Sequence, residues 1–299
     1  MVLRISKICL CIIALTACLS YADMLGRWTF DNASSPWEDI SGAGNDGNVL
    51  AGGVTRSTDA AAGSGSAQFD GSSGCLYLCS PRFFKGDFTQ GKATMSMWLK
   101  LDTANPTTSK TGLGNLDNWA LPTRYASSGS TMQSSIFLSH PAGLSFTLPA
   151  GVNRTQWHHL AVTVNTDNLQ SGYKIYINAQ LAASYPMDGT YGNFIGLQTP
   201  RLGSAYNMAT NTWYWFDGKI DDVRIYNEAL SSSEINSLYC GEWNLADLNT
   251  DCTVNIDDIK LFAENWLNSS PAIGDLNNSG RVEFADFAII AESWLSQKP

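Results

Sequence analysis

Apolar and polar residues alternate through most of the sequence between residues 24 and 226, and this period of two limits the folds open to the chain. In the segment MSMWLKLD (95–102), four apolar residues share one face of an extended chain, while Ser96, Trp98 and Lys100 share the other. Segment 173–184 shows the same pattern on both sides of a tight turn, and Gly, Asn, Ser and Pro separate such segments. The sequence therefore predicts a mainly β protein, an antiparallel sandwich.

The pattern becomes helical near the C-terminal end. Ser231 and Glu234 form a capping box, which predicts the start of a short helix before the change. Segments 257–267 and 285–295 carry apolar residues three and four positions apart, so each is predicted to be a helix.

Each helical segment is the C-terminal part of one of two repeated segments. Residues 247–267 and 275–295 are identical at nine of 21 positions. A duplication of this kind indicates two copies of one structural unit. We therefore divide the chain into a β-sandwich of residues 23–240 and a small all-α module of residues 241–299.

Each repeat begins with acidic and amide residues at alternate positions, the spacing of a calcium-binding loop. Ca²⁺ takes oxygen ligands, and an EF-type loop supplies them from positions 1, 3, 5, 7 and 12. Two acidic turns that bind no metal are the alternative. The predicted ligands are Asp247, Asn249, Asp251, the carbonyl of Thr253 and Asp258 in the first loop, and Asp275, Asn277, Ser279, the carbonyl of Arg281 and Asp286 in the second.

Aspartate at position 12, with a helix after each loop but none before it, resembles the type I dockerin module. The resemblance covers residues 243–299 and implies a calcium-dependent fold that docks to a cohesin-like protein. In dockerins, positions 10 and 11 face the cohesin. Here they are Ile256-Asp257 and Phe284-Ala285 instead of a Ser-Thr pair, which argues against a cellulosomal cohesin.

Other positions of the module carry further expectations. Val254 and Val282, at position 8, are expected to pair the two loops through their backbones. Trp266 and Trp294 are expected to pack in the small core. Because Ser279 replaces an acidic ligand, the second loop is expected to bind Ca²⁺ more weakly than the first.

The first 22 residues have the features of a signal peptide. Arg4 and Lys7 form a basic start, residues 8–18 an apolar stretch, and Ser20-Tyr21-Ala22 a cleavage site. The segment ending at Cys18 also resembles a bacterial lipobox, in which case Cys18 would carry a lipid. The apolar stretch is short for a membrane span. We expect a secreted or cell-surface protein without a transmembrane segment in the mature chain.

Four cysteines follow the predicted signal peptide: Cys75, Cys79, Cys240 and Cys252. An even number in an oxidising compartment favours disulfides. Cys240 and Cys252 bracket one short segment and are the preferred pair. Cys252 stands at loop position 6, where a glycine with positive φ is usual, so a disulfide would hold this turn. Cys75 and Cys79 are either free thiols or joined across a turn.

Several segments, in order, resemble the laminin G-like jelly roll of the concanavalin A-like lectin/glucanase superfamily. The resemblance spans nearly all of residues 24–240 and implies two curved antiparallel sheets, but this fold does not settle function. The segments are 25–32, 41–49, 66–74, 94–100, 157–162, 173–184 and 216–239.

Members of that superfamily often hold a calcium ion where the last strand passes the first. The resemblance implies Asp221 as a ligand on the last strand. Asp31 and the Asn45-Asp46-Gly47 turn could add oxygens. The alternative is a salt bridge from Asp221 or Asp222 to Arg224 or Lys219.

The sequence argues against catalysis, and no catalytic residue is predicted. Retaining glycosidases need two carboxylates about 5–5.5 Å apart, yet no glutamate lies between Glu38 and Glu228. In the family, the Trp-His-His segment containing His158 and His159 is a packing motif. A lyase constellation stays open. The candidates for stacking on sugar rings are Trp119, Tyr125, Trp213, Tyr214 and Trp215.

These features favour a non-catalytic carbohydrate-binding or adhesion protein that binds polysaccharide or glycoconjugate. A structural envelope protein and a cryptic polysaccharide hydrolase or lyase are the alternatives. The formal net charge of −9 argues against nucleic acid as a partner.

Overall fold

The computed structural model describes most of the chain after the predicted signal peptide. The predicted signal peptide, Cys18 and Cys79 lie outside the described residues. The described residues are 24–78, 91–103, 110–111, 115–116, 119–120, 124–125, 131–134, 144–186, 201–207, 212–240, 246–249, 251–269, 273–277 and 279–296.

Within these ranges the chain forms antiparallel strands followed by three helices. The strands are β1 (Met24–Trp28), β2 (Asn48–Ala51), β3 (Val54–Ser57), β4 (Ser66–Asp70), β5 (Cys75–Tyr77), β6 (Lys92–Leu101), β7 (Lys110–Thr111), β8 (Asn115–Leu116), β9 (Trp119–Ala120), β10 (Arg124–Tyr125), β11 (Thr131–Ser134), β12 (Leu144–Thr147), β13 (His158–Asn165), β14 (Tyr173–Ile177), β15 (Gln180–Tyr185), β16 (Arg201–Leu202), β17 (Ser204–Asn207), β18 (Thr212–Trp215) and β19 (Asp217–Tyr226). The helices are α1 (Ser232–Cys240), α2 (Ile256–Glu264) and α3 (Phe284–Glu292).

The largest sheet has eight strands in the order β15-β14-β13-β6-β19-β4-β3, with β1 added beside β19. Strand β19 pairs with two strands along one edge. Its first half pairs with β4 and its second half with β1. The register shifts between Asp221 and Arg224, and Asp222 between them has a φ of 40°. This bulge turns the second half of β19 toward the first strand of the chain.

The smaller sheets run β12-β11-β10-β7 and β16-β5-β2, and β17-β18 and β8-β9 form two-stranded ribbons. All these pairings are antiparallel. The tight turn expected in segment 173–184 joins β14 to β15 at Asn178 and Ala179, whose φ values are 49° and 60°. The architecture is the predicted mainly β jelly roll.

The inner face of the large sheet forms the main core. Met97 and Leu99 of β6 are fully buried there, as the alternation of the sequence predicts. Phe69 and Phe216 meet edge to face with ring centroids 5.9 Å apart. Burying each side chain of this size contributes about 1.5–3 kcal/mol to folding, so this core is the main source of stability of the sandwich.

Helix α1 covers part of the opposite face of the same sheet. Its predicted capping box is present, since the Ser231 N–H donates to Glu234 Oε2 at 2.7 Å and the Glu234 N–H donates to Ser231 Oγ at 3.3 Å. Ile235 is buried in a second apolar cluster on this face. Tyr239 stacks on Trp98 with centroids 5.5 Å apart, which fixes the last turn of the helix against β6.

Helices α2 and α3 end earlier than the apolar pattern of the sequence predicts. The repeats extend the pattern to Leu267 and Leu295, but these residues have φ values of 63° and 60°. A left-handed residue interrupts the helical path, so the last residues of each repeat leave the helix and become available for pairing.

The expected backbone pairing of Val254 with Val282 is wrong. The Val254 N–H donates to the Ser296 carbonyl at 3.0 Å, and the Leu295 N–H donates to the Val254 carbonyl at 2.9 Å. Val282 makes the equivalent bonds to Asn268 and Leu267, at 3.1 and 3.0 Å. Each loop is therefore paired with the segment that follows the helix of the other repeat.

The small core of the repeats confirms one of the two tryptophan expectations. Val254, Phe262, Val282 and Ile290 are buried together with Ala246, and Trp266 packs on Phe262 at 5.4 Å between ring centroids. Trp294 is instead 42% exposed.

Among the described residues, no helix is long and apolar enough to cross a membrane.

The sandwich is expected to fold without the repeats, because both of its apolar clusters are made of residues 24–238 and the repeats have a separate cluster. A 24–240 chain with Cys240→Ser, which removes the unpaired thiol, should be soluble and show one cooperative urea transition. Solubility only when residues 241–299 are attached would contradict the proposed boundary.

Candidate functional sites

The aspartates at position 12 of the two loops occupy equivalent buried positions. The Asp258 carboxylate accepts main-chain N–H bonds from Leu248 at 2.8 Å, Asn249 at 3.2 Å and Asn255 at 2.7 Å. Asp286 accepts the three equivalent bonds at 2.8, 3.0 and 2.9 Å. Both carboxylates are fully buried. Each therefore ties the start of its loop to the start of the following helix.

The aspartates at position 1 organise the turn in the middle of each loop. Asp247 accepts from the N–H groups of Asp251 at 3.0 Å and Cys252 at 2.8 Å. Asp275 accepts from Ser279 at 3.0 Å and Gly280 at 2.9 Å. The two loops thus wrap around their first carboxylate in the same way, although their residues at positions 5 and 6 differ.

Negative charge is concentrated in the first loop. Burial raises the pKa of Asp247, and the nearby carboxylates of Asp258 and Asp251 raise it further. None of the ion pairs found among the described residues involves these three acids. A cation would relieve this repulsion, so the loop fits Ca²⁺ chemically.

The described residues contain no group of three or more His, Cys, Asp or Glu side chains gathered closely enough to hold a metal. The three aspartates among the predicted ligands of the first loop are therefore not drawn together as a metal-binding set, and the second loop has only two aspartates among its predicted ligands. In the second loop, Ser279 Oγ donates to the Arg281 carbonyl at 3.1 Å. This bond occupies two of its predicted ligands and is consistent with the weaker binding expected there.

The Cys240–Cys252 disulfide is confirmed, with Cα atoms 5.0 Å apart. It joins the last residue of α1 to position 6 of the first loop. Cys252 has a φ of 69°, and the equivalent Gly280 has a φ of 88°. Cys75 is a buried free thiol.

The predicted calcium ligands of the sandwich are held by main-chain donors. Asp221 is fully buried and accepts N–H bonds from Ala61, Ala62 and Asp222 at 2.8, 3.0 and 2.7 Å. Asp31 accepts from Ser64 and from Gly65, the latter at 3.0 Å. Burial raises the pKa of Asp221 to about 8. These bonds explain the two acids without a metal, and calcium at this place stays a prediction.

Sequence reasoning missed the loop 61–65 that supplies these donors. Its signal is Gly63, which has a φ of 63° and whose missing Cβ would collide with the Asp31 carboxylate. The side chains of the Asn45-Asp46-Gly47 turn, also expected near this site, make hydrogen bonds to other parts of the chain. The Asn45 side chain donates to the Leu25 carbonyl at 2.7 Å, and Asp46 accepts from the Asp39 N–H at 3.0 Å.

The alternative salt bridge is present at Asp222. Its carboxylate lies 3.0 Å from Arg27 Nε and 2.7 Å from an Arg224 terminal nitrogen. The nearby arginines, Arg224 foremost, lower the pKa of Asp222 against the effect of burial. This triad joins β1 to β19 beside the bulge.

His158 and His159 are buried, as expected for a packing motif. His158 Nδ1 lies 3.0 Å from the Gln156 carbonyl, and burial lowers the pKa of His158 to about 4. His159 packs on Trp98 with ring centroids 5.2 Å apart. Both imidazole rings are therefore buried packing groups.

The strands that carry the predicted sugar-stacking residues are neighbours. β9 pairs with β8 and β10 with β7, while β17 pairs with β18. β17 also lies close to β8, and β18 lies close to β7. The backbone therefore brings Trp119, Tyr125 and the segment Trp213–Trp215 into one region. Trp215 is half-buried, and the side chains of Trp119, Tyr125, Trp213 and Tyr214 lie outside the described part.

These observations define the class of the protein: an antiparallel laminin G-like jelly roll joined by a disulfide to a small helical module. A laminin G family model, described as the concanavalin A-like lectin/glucanases superfamily, matches residues 73–236, more than half of the chain. The chain belongs to this superfamily. No curated protein matches the sequence.

Solved structures share the fold at low identity. Domain 4 of AbnA, a GH43 extracellular arabinanase from Geobacillus stearothermophilus in complex with arabinotriose, has a TM-score of 0.50 and 20% identity over 73% of this chain and 98% of that chain. The binding domain of botulinum neurotoxin DC was solved with SialylT, with a TM-score of 0.53 and 13% identity over 73% and 51% of the chains.

The same toxin domain was also solved with rat synaptotagmin II, with a TM-score of 0.52 and 13% identity over 73% and 51% of the chains. The present chain thus spans about half the length of these toxin domains. Identities this low show a common fold alone.

Proposed function

We propose that the protein is a secreted or cell-surface, non-catalytic carbohydrate-binding or adhesion protein. The observation that carries the proposal is the grouping of the strands that bear Trp119, Tyr125 and Trp213–Trp215. Aromatic residues on neighbouring strands can stack on sugar rings while their polar atoms bind hydroxyl groups. The complexes of related folds with arabinotriose and with SialylT support carbohydrate as the ligand.

The C-terminal module is proposed to bind two calcium ions and to dock to a cohesin-like protein. The ligand sets are the ten predicted residues of the two loops, whose equivalent aspartates make equivalent bonds. When bound, Ca²⁺ would neutralise the loop carboxylates and hold the loops closed. Ile256 and Phe284, at position 10, are 55% and 77% exposed and are available to a protein partner.

A second candidate function is binding of a protein by the jelly roll itself. The complex of a related fold with rat synaptotagmin II favours it. Direct binding measurements distinguish a glycan ligand from a protein ligand. Cleavage of a polysaccharide by a hydrolase or a lyase activity would appear as released product.

The test is binding of the 23–299 chain to a glycan array and to arabino-oligosaccharides, with released reducing ends measured in parallel. We expect binding without product release. Trp119→Ala and Tyr125→Ala should each weaken binding about tenfold, equivalent to about 1.4 kcal/mol, because each removes one stacking surface.

Trp294→Ala is the matched control, since it removes an exposed tryptophan of the helical module. Equal affinity of all three variants and the parent chain would contradict the proposed site. Binding to protein but to no glycan would favour the second candidate function.

A further inference from the structure

The disulfide joins the last residue of helix α1 to the first proposed calcium loop. Cys240 is fully buried at the end of α1, next to Tyr239, which stacks on Trp98. Cys252 is half-buried and lies in the middle of the loop. The bond therefore ties the middle of the loop to a helix that packs on the sheet.

Cys252 needs this tie because of its backbone conformation. Its φ of 69° lies in the left-handed region, where a residue with a Cβ is disfavoured. In this conformation its N–H points at Asp247 and donates a bond of 2.8 Å to Oδ2. If Cys252 relaxed to a negative φ, this N–H would turn away and Asp247 would lose one of the two donors that orient it.

The second loop is an internal control. Gly280 adopts the same left-handed conformation, with a φ of 88°, and its N–H donates to Asp275 at 2.9 Å. A Cβ added at Gly280 would meet nothing within 4 Å, so sterically the site is open. For glycine the left-handed conformation costs little free energy, so Gly280 needs no external tie.

We propose that the Cys240–Cys252 disulfide is a positioning element for the first calcium loop and makes its affinity for Ca²⁺ dependent on redox state. The inference rests on the proposed calcium function. A dithiol reductant delivers two electrons and two protons, the S–S bond breaks, Cys240 and Cys252 become thiols, and the reductant becomes a disulfide. The freed Cys252 then leaves the left-handed conformation, and the first site weakens while the second does not.

The experiment is a calorimetric titration of the 23–299 chain with Ca²⁺, with and without a dithiol reductant. We expect two sites in the oxidised chain and a loss of about 5- to 30-fold in affinity at one of them after reduction, the range set by the left-handed conformation of a non-glycine residue. Asp247→Ala should abolish the site that responds.

Two double variants separate positioning from general stabilisation. Cys240→Ala with Cys252→Ala should bind as the reduced chain does. Cys240→Ala with Cys252→Gly should retain tight binding in both redox states, because glycine restores the turn without the bond.

Each outcome bears on one of the two proposals. Absence of calcium binding in the oxidised chain would overturn the calcium function. Two sites with the same affinities in both redox states would leave that function standing and overturn the positioning role. Equally weak first sites in the Ala and Gly double variants would also overturn it.

Discussion

Chelating calcium is expected to unfold residues 246–296 and to abolish the helical circular-dichroism signal of α2 and α3. The position-12 aspartates Asp258 and Asp286 are fully buried, and in the first loop burial and the charges of Asp258 and Asp251 raise the pKa of Asp247. Without a cation these charges repel one another, and the small core of the module has few residues with which to compensate. Adding Ca²⁺ should restore the signal.

The effect should depend on which ligand is removed. Asp247→Ala should reduce the calcium-induced helical signal more than Ser279→Ala, because Asp247 orients the charged first loop. Asp257→Ala is the control, since its exposed carboxylate pairs with Lys260 at the surface. A circular-dichroism spectrum that does not respond to chelator would contradict the calcium assignment.

Replacing Asp222 with alanine is expected to destabilise the jelly roll by about 3–5 kcal/mol, the usual cost of removing one partner from a buried ion pair. The side chains of Asp222 and Arg224 are only 6% and 12% exposed. Loss of the carboxylate leaves Arg224 without its ion pair at the bulge of β19 and also frees Arg27. Urea unfolding of the parent and variant chains measures the difference.

A surface ion pair provides the matched control. Asp167 is 74% exposed and lies 3.5 Å from Lys92. Asp167→Ala should cost less than about 1 kcal/mol, as is usual for exposed pairs. A cost equally small for Asp222→Ala would show that the triad contributes little to stability.

The large sheet and the disulfide follow from the sequence for identifiable reasons. The alternation in segment 95–102 fixes the register, because a shift of one residue would take Met97 and Leu99 out of the main core and put Ser96 and Trp98 in their place. The disulfide is predictable because the repeat sets Cys252 against Gly280, so that the cysteine stands out at a position that needs positive φ.

Other features depend on contacts that no local pattern encodes. The ends of α2 and α3 are set by Leu267 and Leu295, whose left-handed conformation serves pairing with a distant loop. The surroundings of Asp221 depend on the loop 61–65, which lies far from it in sequence. A buried aspartate alone does not reveal whether a metal or main-chain N–H groups satisfy it.

The exchange of pairing between the repeats has a consequence for how the module can be inherited and lost. Val254 is paired with the chain after α3, and Val282 with the chain after α2. Neither half is complete by itself, so a stop codon between the copies would disable the earlier copy as well as delete the later one. The two repeats are therefore expected to be retained or lost together.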